Sequence, residues 1–292
     1  MSTEALAVGT KQLPALAPGQ IVDIARLEMY TAALTEKLGR ALPVAMRPDA
    51  SRFARALVSE CRRNEGLAKC TALSLLGAAV KSAELGLEIG GMLGQGYLVP
   101  YWSNKVRANE AQLQIGYRGY CVLAHRSGQV KTLSAQVAYA NDQLDIRLGT
   151  DPRVLHIPAA GARGDWVGVY AYLVTAEGGV DVEWMARDQI EAHRDRYSKG
   201  YQSSKAGKAP PSPWETAPME MARKTPLRLL AKRSPVSVAL MEAATLDDAA
   251  EDFRSQDLRV VAAEALGQEL PDPRSRAAAA IADGLEPRAE DA

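Results

Sequence analysis

Aromatic side chains are scarce: two phenylalanines, four tryptophans and ten tyrosines make up 5% of 292 residues. That argues against a surface that stacks every base of a nucleic-acid ligand on a ring. Cysteine is scarcer still. Cys61, Cys70 and Cys121 form no C-x-x-C pair and are odd in number, which fits reduced, mostly buried thiols in a cytosolic setting. His125, His156 and His193 lie far apart and lack metal-ligand spacing, so no metal site is assigned. No apolar run approaches the roughly 20 residues that cross a bilayer, and no membrane partner is expected. The opening MSTEALAVGTKQLP lacks the charged start and apolar block of a secretory signal. No G-x-x-x-x-G-K-[ST] loop occurs, which speaks against an ATP-driven motor. The glycine cluster GLEIGGMLGQG follows a helical pattern and precedes a strand, whereas a dinucleotide fingerprint needs the opposite order.

Net charge is zero, but unevenly spread. Residues 245–292 hold twelve acidic and five basic side chains, a net of −7, which leaves +7 on residues 1–244. A basic body suggests a polyanion ligand, and an acidic end suggests a mask or a partner-binding tail. Residues 1–18, with Pro14 and Pro18, read as disordered. Residues 19–244 read as the core, and 245–292 as a mobile acidic tail whose amphipathic stretch 251–266 is a candidate partner-binding helix.

Within the core, apolar periodicity predicts helices over 20–38, 49–63 and 71–85. Residues 96–102 and 112–117 predict a hairpin with Lys105 and Arg107 at its tip. A helix near 118–127 should stop at Gly128. Strands are expected at 130–139, 143–148, 153–157, 166–175 and 180–185, a helix at 186–196 and a basic Gly/Ser/Pro-rich loop at 197–213. Helices return over 214–244. The class is α+β: N-terminal helices, a β-hairpin and antiparallel meander, and C-terminal helices around a basic groove.

The stretch WETAPMEMARKTPLRLLAKR (214–233) concentrates Arg223, Lys224, Arg228, Lys232 and Arg233. Lys224, Arg228 and Lys232 fall four apart on one helix face, where like charges repel unless an anion lies along the row. Pro218 should start this helix and Pro226 should break or restart it.

LGLEIGGMLGQGYLVPY (85–101), QLQIGYRGYCVLAHRSGQVKTLSA (112–135), the run from Asp142 to Pro158 and WETAPMEMARKTPLRLLAKRSPVS (214–237) together resemble the RecT-type phage single-strand annealing proteins over roughly residues 50–245. Ile89, Pro218 and Pro226 depart from the family pattern. The resemblance implies a protein that coats single-stranded DNA, anneals it to a complementary strand without ATP and assembles into rings or helical filaments. It implies no required cofactor, with Mg²⁺ as a modulator of DNA binding or assembly. Its implied partners are a host single-strand-binding protein and an exonuclease, in the cytoplasm of a bacterial host.

Annealing requires that phosphates be held while base edges stay open, which cations and backbone N–H groups accomplish without reading sequence. The candidate phosphate contacts are Lys105, Arg107, Arg118, Arg126, Lys199, Lys205, Lys208, Arg223, Lys224, Arg228 and Lys232. Two other readings stay open. Asp142, Asp145 and Asp151 with His156, or Asp181 with Glu183, would serve a metal-dependent nuclease. A module that protects single strands or recruits a partner without annealing them would need the same cations.

Overall fold

Apolar residues spaced three or four apart in the first third of the chain wind into helices that bury one another. The computed structural model describes residues 13–270 apart from 91–92, 209–210, 235–236 and 253. The first helix, α1 (Ile24–Ala41), begins at Asp23, whose carboxylate accepts from the Arg26 amide at 2.7 Å. It is followed by α2 (Ala50–Arg63), α3 (Glu65–Ala68) and α4 (Ala72–Leu85). α4 is apolar nearly all round and buried nearly all round. It is therefore the hub on which α1, α2 and the strands beyond it pack. Gly86, at φ +61°, closes its end in the left-handed conformation that glycine adopts without cost.

Strands β1 (Gly96–Ser103) and β2 (Ala108–Ile115) pair antiparallel with Gly96 opposite Ile115. Helix α5 (Tyr117–Arg126) leads into β3 (Val130–Tyr139). β3 pairs with β6 (Trp166–Thr175), and β6 with β7 (Val180–Ala186), all antiparallel. Between β3 and β6 the chain leaves the sheet as a separate hairpin, β4 (Gln143–Arg147) and β5 (Arg153–Ile157). The class is α+β as expected, but the sheet is not one meander. Asp142 explains the detour. Its carboxylate accepts from the Tyr139 and Ala159 amides at 2.9 and 3.0 Å and from Arg163 at 2.6 Å, which pins both ends of the inserted hairpin.

The chain continues through α6 (Arg187–Tyr197), α7 (Lys199–Lys205), α8 (Pro213–Thr216), α9 (Pro218–Arg233), α10 (Val238–Glu251) and α11 (Leu258–Leu266). Three sequence expectations need correction. The segment 197–213 is not all loop, because the Ser198 hydroxyl accepts from the Tyr201 amide and starts α7. Helix α9 starts at Pro218 as expected but runs through Pro226 unbroken. An interior proline costs about 3 kcal/mol. Leu227 and Leu230, fully buried on the β3–β6 side, contribute roughly 1.5–3 kcal/mol each and offset it.

The third correction concerns the ends of the core. Leu16 is buried, and the Pro14 carbonyl accepts from Tyr30 Oη, so residues 13–18 belong to the packed body. The described residues of 245–270 do too. α11 lies against α4 so closely that a Cβ on Gly77 would stand 1.7 Å from the Leu258 carbonyl oxygen. The apolar stripe that suggested a partner-binding helix is spent on this contact. The remainder of the two expected tails, 1–12 and 271–292, lies outside the described residues.

The exposed edge of β2 is closed by side chains rather than by a strand. Its Ala111, Leu113 and Ile115 amides donate to Ser74 Oγ, Gln256 Oε1 and Asp247 Oδ1 at 2.8, 2.8 and 3.0 Å. An unpaired edge invites association with other chains. Here Ser74 of α4 and the C-terminal segment cover it.

Candidate nucleic-acid interface

Two of the three cations in the α9 row, Lys224 and Arg228, are buried, and Lys232 at its end is exposed. Lys224 is 8% exposed, and its Nζ lies 2.9 Å from Asp247 of α10. Arg228, 4% exposed, meets Glu251 at 2.6 Å, and Lys232 meets Asp248 at 2.6 Å. Acids on one helix therefore answer cations four apart on the other, and the repulsion expected along the row is cancelled within the chain. Arg223 pairs with Glu220 one turn earlier, at 2.9 Å. Arg233 reaches across to β7, where Asp181 and Glu183 share its guanidinium at 2.8 and 2.5 Å.

Asp247 is the centre of this seam. Besides Lys224 and the Ile115 amide, it accepts from Tyr120 Oη at 2.7 Å, tying α5, α9, α10 and β2 together. Burial, and then the Asp247 carboxylate itself, push the Tyr120 hydroxyl well above its ordinary pKa, so it remains a donor.

The remaining candidates divide. Arg126 donates to the Leu85 and Gly86 carbonyls at 2.8 and 3.0 Å and thereby caps α4. Lys105 and Arg107 stand exposed on the β1–β2 turn, with Lys105 4.0 Å from Asp257 and Arg107 at φ +52°. Lys199 donates to the Asp252 carbonyl at 2.7 Å, while Lys205 and Lys208 are exposed at and beyond the end of α7. Arg118 is exposed in the first turn of α5, a helix whose N-cap, Gly116, supplies no side-chain cap. The open end of a helix carries partial positive charge and free N–H groups, the usual seat of a phosphate.

Arg118 stands at the mouth of a cleft of about 460 Å³. One wall is the β1–β2 face with Tyr97, Val99 and Gln114, and the other is Pro213, Ala217 and Met221 from α8 and α9. Lys224 lies in its floor. The surface continues past Tyr101 and Trp214 toward Ser198 and Lys199. The eleven candidates thus do not converge on one row. Arg118 and Lys199 lie along this trough, Lys105 and Arg107 on the hairpin turn, and Lys224 beneath. Gln114 and Glu220 were not singled out from sequence, and Met221 reads there as a core residue. Only the alternation of QLQIG in β2 hinted at Gln114.

Four carboxylates of the nuclease reading are occupied by protein partners: Asp142 by Arg163, Asp145 by Arg147, and Asp181 and Glu183 by Arg233. Arg163 first, then backbone amides and His156, hold Asp142 well below the usual carboxylate range. His156 Nε2 is 3.0 Å from Asp142 and its Nδ1 is 3.0 Å from Tyr170 Oη. Asp181 and Glu183 are spanned by Arg233.

The RecT family profile matches residues 51–260, from α2 into α11. Protein RecT of Escherichia coli (strain K12) is 37% identical over 218 residues, which cover 74% of this chain and 77% of that protein. The protein named Uncharacterized protein YqaK, of Bacillus subtilis (strain 168), is 28% identical over 201 residues, 68% of this chain and 64% of its own length. The matched span takes in the cleft, the α9–α10 seam and the clasp on β2, and the chain belongs to the RecT family of recombination and annealing proteins.

Proposed function

We propose that this chain binds single-stranded DNA through its phosphates and anneals it to a complementary strand without ATP, acting as an oligomeric ring or filament. The observation that carries this reading is the exposed Arg118 on the uncapped end of α5, at the mouth of a trough that runs on to Lys199. Phosphates seated there and on Lys105, Arg107, Lys205 and Lys208 leave base edges free for a second strand. Lys224, Arg228 and Lys232 act on DNA indirectly, by fixing the walls of the trough through their acid partners. Mg²⁺ enters as a modulator of DNA binding or assembly. The cytoplasm of a bacterial host is the site of action, with a single-strand-binding protein and an exonuclease as partners.

The test is a salt titration of binding and of annealing. Each phosphate neutralised on single-stranded DNA adds roughly 0.7 to the slope of log affinity against log salt. Arg118→Ala and Arg107→Ala should each flatten the slope by about that amount and slow annealing of complementary oligonucleotides. An unchanged slope in both, or a parent protein that binds but never accelerates pairing, would defeat the proposal. The second outcome would favour the protective or recruiting module.

A further inference from the structure

The cleft behind Arg118 is built for something flat and apolar as well as for charge. Its walls are carbon-rich: Val99, Pro213, Ala217 and Met221 face it together with the Tyr97 and Tyr117 rings. At about 460 Å³ it falls in the size range of pockets that enclose small organic ligands, roughly 300–1,000 Å³. Tyr97 is 47% exposed, on the face of β1 opposite its buried neighbours Gly96 and Leu98, so its ring is available to a ligand.

That ring is not loose. It rests on the Gly94–Gly116 backbone, where a Cβ on Gly116 would stand 2.1 Å from the Gly94 carbonyl oxygen and 3.0 Å from the ring, and one on Gly94 would stand 2.8 Å from the Tyr97 hydroxyl. Two glycines thus let the tyrosine lie down against the main chain as a fixed plate. Arg118, on the same mouth, lies 5.9 Å from the centre of the Tyr117 ring, so a cation and an aromatic face are presented together.

We infer that this cleft is a nucleobase subsite: one base of the bound strand lies against the Tyr97 ring, with Met221 and Pro213 opposite, while its phosphate sits at Arg118. The inference rests on the DNA-binding reading above and adds a base-face contact to it. The contact is indifferent to sequence, because every base offers a π face. It anchors the strand at one nucleotide per subunit and leaves neighbouring bases exposed for pairing. The charge pattern fits a nucleotide better than an apolar peptide: Arg118 stands at the rim, while the Glu220 carboxylate and the Lys224 ammonium that also line the cleft are paired with Arg223 and Asp247.

The experiment compares the full-length protein's affinity, at one fixed salt concentration, for a 30-mer of deoxythymidine and for a 30-mer of abasic spacers carrying the same phosphates. The parent should bind the abasic strand at least about tenfold more weakly, in line with the cost of losing base–aromatic stacking. Tyr97→Ala should bind the thymidine strand at the abasic level and no longer distinguish the two, while Tyr97→Phe keeps the distinction. Equal binding of both strands by the parent overturns the subsite and leaves phosphate binding intact. Discrimination that survives in Tyr97→Ala overturns its location. A Tyr97→Ala protein altered only in assembly size would assign the cleft to another copy of the chain and also overturn it. Failure of the parent to bind either strand removes the DNA-binding reading itself.

Discussion

Replacing Asp247 by alanine should unfold the seam between α9, α10 and β2. The carboxylate is 1% exposed and receives three donors: the Ile115 amide, Tyr120 Oη and Lys224 Nζ, at 3.0, 2.7 and 2.9 Å. Truncation leaves a buried ammonium without its counter-charge, at a cost of about 3–5 kcal/mol. The orphaned hydroxyl and amide add about 1–3 kcal/mol each where they cannot find water. These terms share one site and do not sum, so the ion-pair figure serves as the estimate. For a chain of this size 1 kcal/mol lowers Tm by about 2–4 °C, giving a fall of roughly 6–20 °C. Lys224→Met should fall comparably, because it strands the carboxylate. A double variant, Lys224→Met with Asp247→Leu, should recover much of the loss, since a buried pair replaced by apolar residues of similar size is often neutral. Thermal unfolding of the parent, Lys224→Met, Asp247→Leu and the double variant closes the cycle. Should Lys224→Met melt with the parent while losing DNA affinity, Lys224 is a direct phosphate contact and the ion-pair argument fails.

Gly77→Ala should push α11 off α4, since the new methyl would stand 1.7 Å from the Leu258 carbonyl oxygen. Overpacking of this kind costs about 1–3 kcal/mol, and limited proteolysis between α10 and α11 should speed up; unchanged cleavage would count against the packing described. Asp142 has a depressed pKa in the fold, so its contribution is complete above the unfolded carboxylate range and is lost as pH falls toward the folded value. Asp142→Asn should therefore melt below the parent at neutral pH, with the gap closing under acid conditions below about pH 4. A gap constant from pH 7 to pH 3 would refute the linkage. Burial pushes Cys61 and Cys70 up to about 12 and Cys121 to about 11. Thiol reagents at neutral pH should label the folded protein only as fast as it opens, and rapid labelling of all three would show the thiols to be more accessible than the fold allows.

The local features of this chain were legible before its structure. The alternation of VKTLSAQVAY and the apolar run WVGVYAYLVT placed β3 and β6 to the residue, and VLHI placed β5. A period-two pattern survives where a strand buries one face, whereas β6, central in its sheet and buried at four consecutive residues, is legible from its run of apolar and β-branched residues. What could not be read was where charge would be cancelled. Lys224 and Asp247, or Arg228 and Glu251, are each 23 residues apart. Nothing periodic links them, so the basic stretch looked like a ligand surface and the acids after it like a tail. The same blindness hid Gln256 and Asp247 as hydrogen-bond acceptors for β2, because a side chain that completes a strand edge leaves no pattern in its own neighbourhood. Pro226 misled for a related reason. Its cost is local and visible, while the Leu227 and Leu230 burial that offsets it belongs to a packing of α9 on β3 and β6, strands far earlier in the chain.

A division of labour among the cations follows from these positions. In a protein that must hold a polyanion, a cation already bonded to a buried carboxylate contributes little further attraction, because binding DNA would require breaking that bond and stranding the acid. Lys224 and Arg228 are in that state. Arg107, Lys205 and Lys208 are exposed, so a phosphate reaching them displaces mainly solvent and counterions. Arg118 is exposed as well, and its Nε bonds a neutral hydroxyl, that of Tyr117, rather than a buried carboxylate. Salt should therefore act on the two groups differently. Raising ionic strength should weaken the proposed DNA binding through the exposed set, whereas the buried ladder is screened far less and should keep the fold intact across the same range. A trough with salt-sensitive rims on a salt-insensitive floor can release a finished duplex without loosening its own walls. If added salt lowered Tm as steeply as it lowered DNA affinity, the buried ladder would be carrying the ligand after all.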